Sequence, residues 1–381
     1  MDTTDEKKIS VLFVHNSVPE YRVEFWKTLS KKVNLYLLVT SDELDKKIYG
    51  FQKNTDGLNI RYWGHQSKEK IKEEITNYNV VILPPVEGIK DFSIACWLNK
   101  LCAAKGIPYV YWTEKWLLEN SLKSFLKKVK DLIKTDMIKF AAHGAAMYIA
   151  SGSMAREYLQ KYIKAPKAKI SIAFDSSMSP RNSNEDEYLD VRKKYCIPRS
   201  AKVVLFLGRL ISRKGCDLLI RSVKPILKSK NIYLLICGDG EQRSYLEKIA
   251  SGDRRIIFAG KVQPSIRRNF FDQANIFVLP SKNENGTIEA WGLTVNEALE
   301  CGVPVVTTDA VGSAYDLINE KNGIVVKNGN IDELRGAVTA ILDNYQNYDR
   351  REIIEEYNSK YSVNNMSESF LNLLTAVTKR K

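Results

Sequence analysis

Glu289 and Glu297, eight residues apart in the run SKNENGTIEAWGLTVNEALECGVPVVTTD, have the residue type and spacing most suited to chemistry. Two carboxylates flanking a ligand can accept hydrogen bonds from the hydroxyls of a sugar and a ribose. An apolar stretch from Ile276 to Leu279 predicts a strand leading into the run. A polar Gly/Asn loop follows, then Gly292, then a short helix with Val295, Ala298 and Leu299 at i, i+3, i+4 spacing. Gly302 ends that helix and Val303–Thr307 opens the next strand. Glu289 therefore precedes the helix and Glu297 lies in its first turns, at the carboxyl end of a strand. That edge is where open α/β sheets bind ligands, and the unpaired N–H groups of the helix start favour an anion. The competing reading is a solvated loop glutamate beside one stabilised by the helix dipole.

Upstream, Val203–Leu207 reads as a buried strand followed by GRLISRKG. Arg209 and Lys214 flank a connector ending at Gly215, and Leu218, Leu219, Val223 and Leu227 then follow a helical pattern. Two cations beyond the end of a buried strand suit a diphosphate, the arginine by forked hydrogen bonding and the lysine as a point charge. In a chain this rich in lysine, two exposed basic residues would look the same.

Together these runs resemble glycosyltransferase family 4, the retaining nucleotide-sugar enzymes of the GT-B fold. The resemblance is strongest from about Val203 to Asp316. It includes FLGRLISRKG, LLICGDGEQ, FAGKV, the two-glutamate run and VGSAYDLI. It is looser in the N-terminal half, through VPEYRVEFW, MYIASGSMAREYL and AFDSS. It implies an α/β chain of two Rossmann-like, doubly wound parallel-sheet domains facing across a cleft. It also implies that Arg209 and Lys214 hold the donor diphosphate, that Glu289 meets the donor sugar and that Glu297 meets the ribose. Gly208, Gly238, Val262, Gly292, Leu293 and Thr294 complete the donor-binding set that it suggests. Taken alone, the G-x-G of CGDGEQR is a plain strand-to-helix turn, since Arg243 replaces a third glycine.

A chain of 381 residues, 44% apolar and 27% charged, suits two globular domains. Apolar segments alternate with helix-length ones in two series, arguing for parallel sheets covered on both faces. The first series has strands near Ser10–His15, Val33–Val39, Asn59–Trp63, Val80–Leu83, Pro108–Trp112, Met147–Ala150 and Lys169–Ile172. The second has Lys202–Leu207, Tyr233–Cys237, Arg255–Phe258, Asn275–Leu279, Val303–Thr307 and Gly323–Val326. The turn-rich SSMSPRNSNEDEYLD separates them. The expected division is an acceptor-binding domain over 1–180, a linker over 181–200 and a donor domain over 201–345. Two helices follow over 346–381, and in resembling proteins the last crosses back onto the first domain. The six cysteines, scattered and without a C-x-x-C pair, read as reduced core residues of a cytosolic protein. The first apolar run is too short for a signal sequence, and no stretch reaches the length of a membrane span. With three histidines and no D-x-D pair, no metal or other cofactor is expected. Arg209 and Lys214 would neutralise the diphosphate instead.

The first apolar strand leads to HNSVPEYR, without a glycine loop, so the N-terminal half is expected to take the acceptor. Tyr21, Arg22 and Trp112 are the acceptor-binding candidates, since ring faces stack on sugars and charged groups bond hydroxyls. Trp26 and Trp112 fit a buried core equally well. Many relatives carry a histidine in this half. Here Glu114, in YWTEKW, stands at the corresponding strand end as a candidate catalytic base. The leaving phosphate can also take the proton, which would make a protein base dispensable.

Net charge is +13. Between Asn120 and Phe140, Leu122, Phe125, Leu126, Val129, Ile133 and Phe140 share one helical face, while Lys123, Lys127, Lys130 and Lys134 follow another. Such a helix suits an anionic membrane surface, or it is an ordinary surface helix with its apolar stripe turned to the core. No nucleic-acid motif accompanies the charge, so no nucleic-acid partner is expected. The expected activity is a retaining transfer of a hexosyl-type sugar from a nucleotide donor to a hydroxyl of a saccharide or lipid-linked saccharide. It is placed in the cytoplasm, at the inner membrane face where the acceptor is lipid-linked. A sugar phosphorylase of similar fold and a catalytically silent homologue that binds a partner transferase are the alternatives.

Overall fold

The computed structural model describes residues 8–41, 54–117, 124–177 and 188–379. Two compact units divide the chain. The first takes residues up to Trp116, Ser124–Ser176 and Val363 onward, and the second takes Ser177–Ser362 with the segment beginning at Leu117.

The first unit is built on seven strands: β1 (Ser10–His15), β2 (Asn34–Val39), β3 (Asn59–Tyr62), β4 (Val80–Leu83), β5 (Tyr109–Thr113), β6 (Met147–Ala150) and β7 (Ile170–Ile172). They pair in the order β3-β2-β1-β4-β5-β6-β7, all parallel. β4, β5 and β6 are buried at every position, as parallel strands covered by helices on both faces must be. β1 is the pivot, with Val11 opposite both Leu35 and Val80. The chain runs outward through β2 and β3, then returns to the other side of β1 as β4. That reversal opens a crevice at the carboxyl end of β1, into which the helix Glu20–Ser30 delivers its first turn.

The second unit repeats the scheme with β8 (Lys202–Leu207), β9 (Ile232–Cys237), β10 (Ile256–Gly260), β11 (Ile276–Leu279), β12 (Val305–Thr308) and β13 (Gly323–Val326). The order is β10-β9-β8-β11-β12-β13, again parallel, with the reversal between β8 and β11. Each strand of the sequence analysis is present within two residues of its expected bounds.

The core of the first unit is aromatic. Phe13 meets Trp26 at 5.8 Å and Trp112 at 5.8 Å, both edge-on, and stacks on Phe370 at 6.2 Å. Phe370 comes from the helix Val363–Thr378, whose Val363, Met366, Phe370, Leu374 and Val377 recur on one face and are all buried in this core. Burying such side chains stabilises by roughly 1.5–3 kcal/mol each. The helix before it, Arg350–Lys360, belongs to the second unit.

Two expectations need correction. Residues 188–200 are not a linker. Arg192 donates to the carbonyls of Pro198, Ala201 and Gln273 and Val191 is buried, which fixes this stretch to the second unit. The rest of the expected linker up to residue 187 lies outside the described residues. Nor are all cysteines core. Cys96 is half-buried, and Cys196 is exposed in a left-handed turn (φ 54°) just past the helix Val191–Lys194.

Candidate functional site

In the second unit, the loops after β8 and β11 meet where the strand order reverses. Each has a positive-φ glycine where no side chain fits. A Cβ on Gly215 (φ +69°) would lie 2.0 Å from the carbonyl oxygen of Pro280, so the 208–215 loop rests directly on backbone at the end of β11. A Cβ on Gly292 (φ +94°) would approach Val311 to 2.9 Å and Leu279 to 3.0 Å. Gly238 and Gly240 play a similar part after β9, packed against the carbonyl oxygens of Gly208 and Leu210.

This packing sets Glu289 beside two cations. Lys214 Nζ lies 2.8 Å from one carboxylate oxygen, and Arg213 donates to the same oxygen and, at 3.3 Å, to the carbonyl of Ile288. The backbone of Glu289 is pinned as well: its N–H donates to Ala310 and its carbonyl accepts from Gly312, at 3.0 and 3.1 Å. Burial works against its ionisation, yet Lys214 and Arg213 outweigh that and pull the carboxyl down to about 2. It is a carboxylate at any physiological pH.

Eight residues on, Glu297 sits in the helix Leu293–Glu300, almost fully buried. Its Oε1 takes a hydrogen bond from Arg267 at 2.8 Å, and among the described residues its buried Oε2 has no partner. Between the two glutamates, the Trp291 indole donates to Asn296 at 2.9 Å, and the Asn296 amide donates to the Tyr357 hydroxyl at 3.3 Å. The turn joining Glu289 to the helix is thus fastened from inside. Arg209 is exposed, and among the described residues no ion pair holds it. Gly208, Gly238, Val262, Leu293 and Thr294 are half-buried around the same strand ends, and Gly292 is buried. Sequence reasoning missed Arg213 and Arg267. Arg213 had a signal, being a second cation adjoining Lys214. Arg267, in PSIRRNFF, had none.

In the first unit, Arg22 is wholly buried and forks onto Asp175, with Nη2 reaching Oδ2 at 2.6 Å and Nη1 reaching Oδ1. Nη2 also reaches Glu114. The guanidinium lies 4.5 Å from the Trp112 ring and 5.0 Å from the Tyr21 ring. Two of the expected acceptor contacts therefore take a different place. Arg22 spends its charge on two carboxylates and Trp112 belongs to the aromatic core, so neither offers itself to a sugar; Tyr21 is half-buried. Asp175 and His15 were missed, although AFDSS and HNSVPEYR each place one at a strand end. His15 Nδ1 lies 2.8 Å from the backbone carbonyl of Ser17, to which it donates. Burial and then the charge of Arg22 push it down to about 4, so it is neutral.

The basic helix spans Phe125–Ala141, capped by Ser124; Leu122 and Lys123 lie outside the described residues. Thr135, Ile138 and Ala141 are its buried residues. Phe125, Leu126, Leu132, Ile133 and Phe140 are each more than half exposed. At 3.6 residues per turn they fall within an arc of about 120° opposite the buried face. The apolar stripe thus points outward, contrary to the core-facing alternative. Lys127 pairs with Asp131 at 2.9 Å and Lys134 with Glu87.

Comparison with known proteins agrees with this geometry. Residues 189–361 match the family model described as glycosyl transferases group 1. Over 227 residues, 57% of each chain, the protein is 27% identical to an uncharacterized glycosyltransferase of Methanocaldococcus jannaschii. Over 156 residues it is 30% identical to a GDP-mannose-dependent monoacylated alpha-(1-6)-phosphatidylinositol monomannoside mannosyltransferase of Corynebacterium glutamicum. That match spans 40% of this chain and 41% of the relative, so the chain covers about half the length of these curated relatives. Among solved structures, HepE of Anabaena in complex with UDP superposes with a TM-score of 0.74 at 13% identity, covering 97% of this chain and 100% of that one. WaaG, a glycosyltransferase involved in lipopolysaccharide biosynthesis, gives 0.59 at 16% identity, covering 96% and 99%. The fold is GT-B, with two Rossmann-like parallel-sheet domains. Its second domain carries the group 1 glycosyl transferase match.

Proposed function

We propose that the protein is a retaining glycosyltransferase that moves a hexosyl-type sugar from a nucleotide-sugar donor to a saccharide hydroxyl, with Arg209 and Lys214 on the diphosphate, Glu289 on the donor sugar and Glu297 on the ribose. The observation that carries this reading is the gathering of Lys214, Glu289 and Glu297 at the strand reversal of the second unit, inside the stretch matched by the family model. An ionised Glu289 accepts hydroxyl hydrogen bonds, and the orphaned Oε2 of Glu297 has room for one more. Positioning and neutralisation of phosphate charge by fixed cations supply the rate enhancement, with no metal or cofactor.

Thermal stabilisation tests the reading. UDP, GDP or ADP raises the melting temperature of the purified protein, one of them most strongly, because a ligand that binds only the folded state stabilises it. Stabilisation by inorganic phosphate alone would replace the transferase by a phosphorylase. No response to any of the four would leave a catalytically silent homologue.

The acceptor, in this reading, is lipid-linked and met at the cytoplasmic face of a membrane. The outward apolar stripe of the 125–141 helix supports this, with its lysines and the +13 charge. So does the lipid-linked acceptor in the name of the Corynebacterium relative. No described helix is long and apolar enough to cross a membrane, so contact would be peripheral. The protein is expected to sediment with vesicles containing anionic lipid and to be released as salt rises, each lysine near the surface contributing about 1 kcal/mol. Changing Lys123, Lys127, Lys130 and Lys134 to glutamine abolishes sedimentation while nucleotide stabilisation persists. Equal binding to neutral and anionic vesicles, or none to either, rejects it.

A further inference from the structure

We infer that Arg267 is a positioning residue that turns Glu297 toward the ribose of the donor and so makes the nucleotide site select ribose over deoxyribose. This rests on the transferase reading above and concerns the second unit alone. Its structural ground is a buried carboxylate with one oxygen held and one open. Only 5% of the Glu297 side chain is exposed; Arg267 donates to Oε1 at 2.8 Å, and Oε2 has no hydrogen-bond partner among the described residues. Thr294, three residues earlier and hence on the same helix face, has a buried hydroxyl that is likewise without a partner among them. Polar atoms buried without partners are costly, and the hydroxyls of a ribose supply what these two lack.

Arg267 can hold Glu297 because its own place is fixed. It follows β10 at the start of the helix Arg267–Asp272, and Phe270 and Phe271, three and four residues on, are buried. Phe271 meets Phe277 of β11 at 5.4 Å. Arg350 donates to the carbonyls of Phe271 and Asp272 at 3.1 and 2.9 Å, which secures the far end of the helix. Arg268, next in sequence, pairs instead with Asp272 at 3.6 Å.

The backbone and the side chain of Glu297 are secured separately. The chain of hydrogen bonds from Trp291 through Asn296 to Tyr357 fastens the start of the helix Leu293–Glu300, but it leaves the torsions of the Glu297 side chain unset. The charge-assisted bond from Arg267 sets them, with Oε1 turned to the arginine and Oε2 left for a hydroxyl. A site that presents a buried acceptor to a hydroxyl rejects an analogue lacking that hydroxyl, because the acceptor then stays unpaired. Selectivity thus follows from the placing of Oε2, and that placing from Arg267.

The test measures dissociation constants for UDP, GDP or ADP, whichever stabilises the protein most, and for the 2′,3′-dideoxy form of the same nucleotide. The wild type binds the ribose form at least about tenfold more tightly. R267M brings the two constants together by weakening the ribose form, and leaves the constant for the dideoxy form unchanged. R267K, which keeps the charge without the planar guanidinium, retains an intermediate ratio. In an E297A background R267M changes the ratio no further, because the arginine acts through the glutamate.

Equal weakening of both forms by R267M would mean that the arginine meets the nucleotide elsewhere, and overturns the inference. So does an unchanged ratio in R267M, or a further fall when R267M is added to E297A. Should R267M not fold, R267K decides, and a ratio equal to that of the wild type then overturns the inference. Failure of the transferase reading shows separately, as the absence of stabilisation by any nucleoside diphosphate. A wild type that binds the ribose and dideoxy forms alike refutes the ribose contact and the inference with it.

Discussion

Lys214→Ala is expected to lower turnover more than tenfold and to weaken binding of a nucleoside diphosphate. Arg209→Ala is expected to do the same. Tenfold corresponds to about 1.4 kcal/mol of transition-state stabilisation, a modest demand on a cation that meets the charge developing on a leaving diphosphate. The two residues start from different states. Arg209 is exposed, without an ion pair among the described residues, so binding a diphosphate costs it little rearrangement. Lys214 already touches Glu289 and would be shared between that carboxylate and the phosphate. Arg213 binds the same carboxylate oxygen, so the glutamate stays paired when Lys214 turns to the ligand. The measurement is steady-state kinetics with a titration of the preferred nucleotide. Wild-type values in both single variants would remove the diphosphate from this loop.

Replacing the two glutamates should produce different kinetic signatures. Glu289→Ala reduces kcat, because contacts to the donor sugar tighten as charge develops on its ring. Glu297→Ala raises the donor KM instead, because ribose contacts change little during the reaction. Removing Glu289 also strands Arg213 and Lys214, both mostly buried, and breaking such a group from one side typically costs about 3–5 kcal/mol. Glu289→Gln, which keeps a hydrogen-bond acceptor, separates loss of folding from loss of chemistry. Melting curves for each variant complete the comparison. If both glutamates affect KM alone, or neither has an effect, the division of roles fails. Added chelator leaves the rate unchanged, and a strict requirement for Mg²⁺ or Mn²⁺ would contradict charge neutralisation by Arg209 and Lys214.

The strands were legible because parallel sheets covered on both faces write themselves as continuous apolar runs. VVLFL and IFVL admit little else between turn-forming neighbours. The positions of Glu289, Glu297 and Lys214 beyond the strand ends were legible because sheet topology brings the carboxyl ends of β8 and β11 together whatever the side chains do. Arg22 shows where such reasoning stops. Its position at a helix start beside Tyr21 suggested a ligand contact, but its partner Asp175 lies 153 residues away, and no local pattern reveals that a buried carboxylate waits for it. The 125–141 helix shows a second limit. Periodicity located its apolar stripe but is indifferent to which face meets the protein, and Thr135, Ile138 and Ala141 turned out to be enough to seat it.

The helix Val363–Thr378 imposes an order of events on biosynthesis. Its five buried side chains complete a core begun by Val11 and Phe13 about 350 residues earlier, so the β1–β7 sheet lacks part of its packing until this helix has been made. The second unit, by contrast, has all its strands and its own core by Ser362. Domains usually mature from the N-terminus onward during synthesis. In this chain the half translated later is the one equipped to fold first, and the nascent first half would expose apolar surface for as long as the second unit takes to emerge.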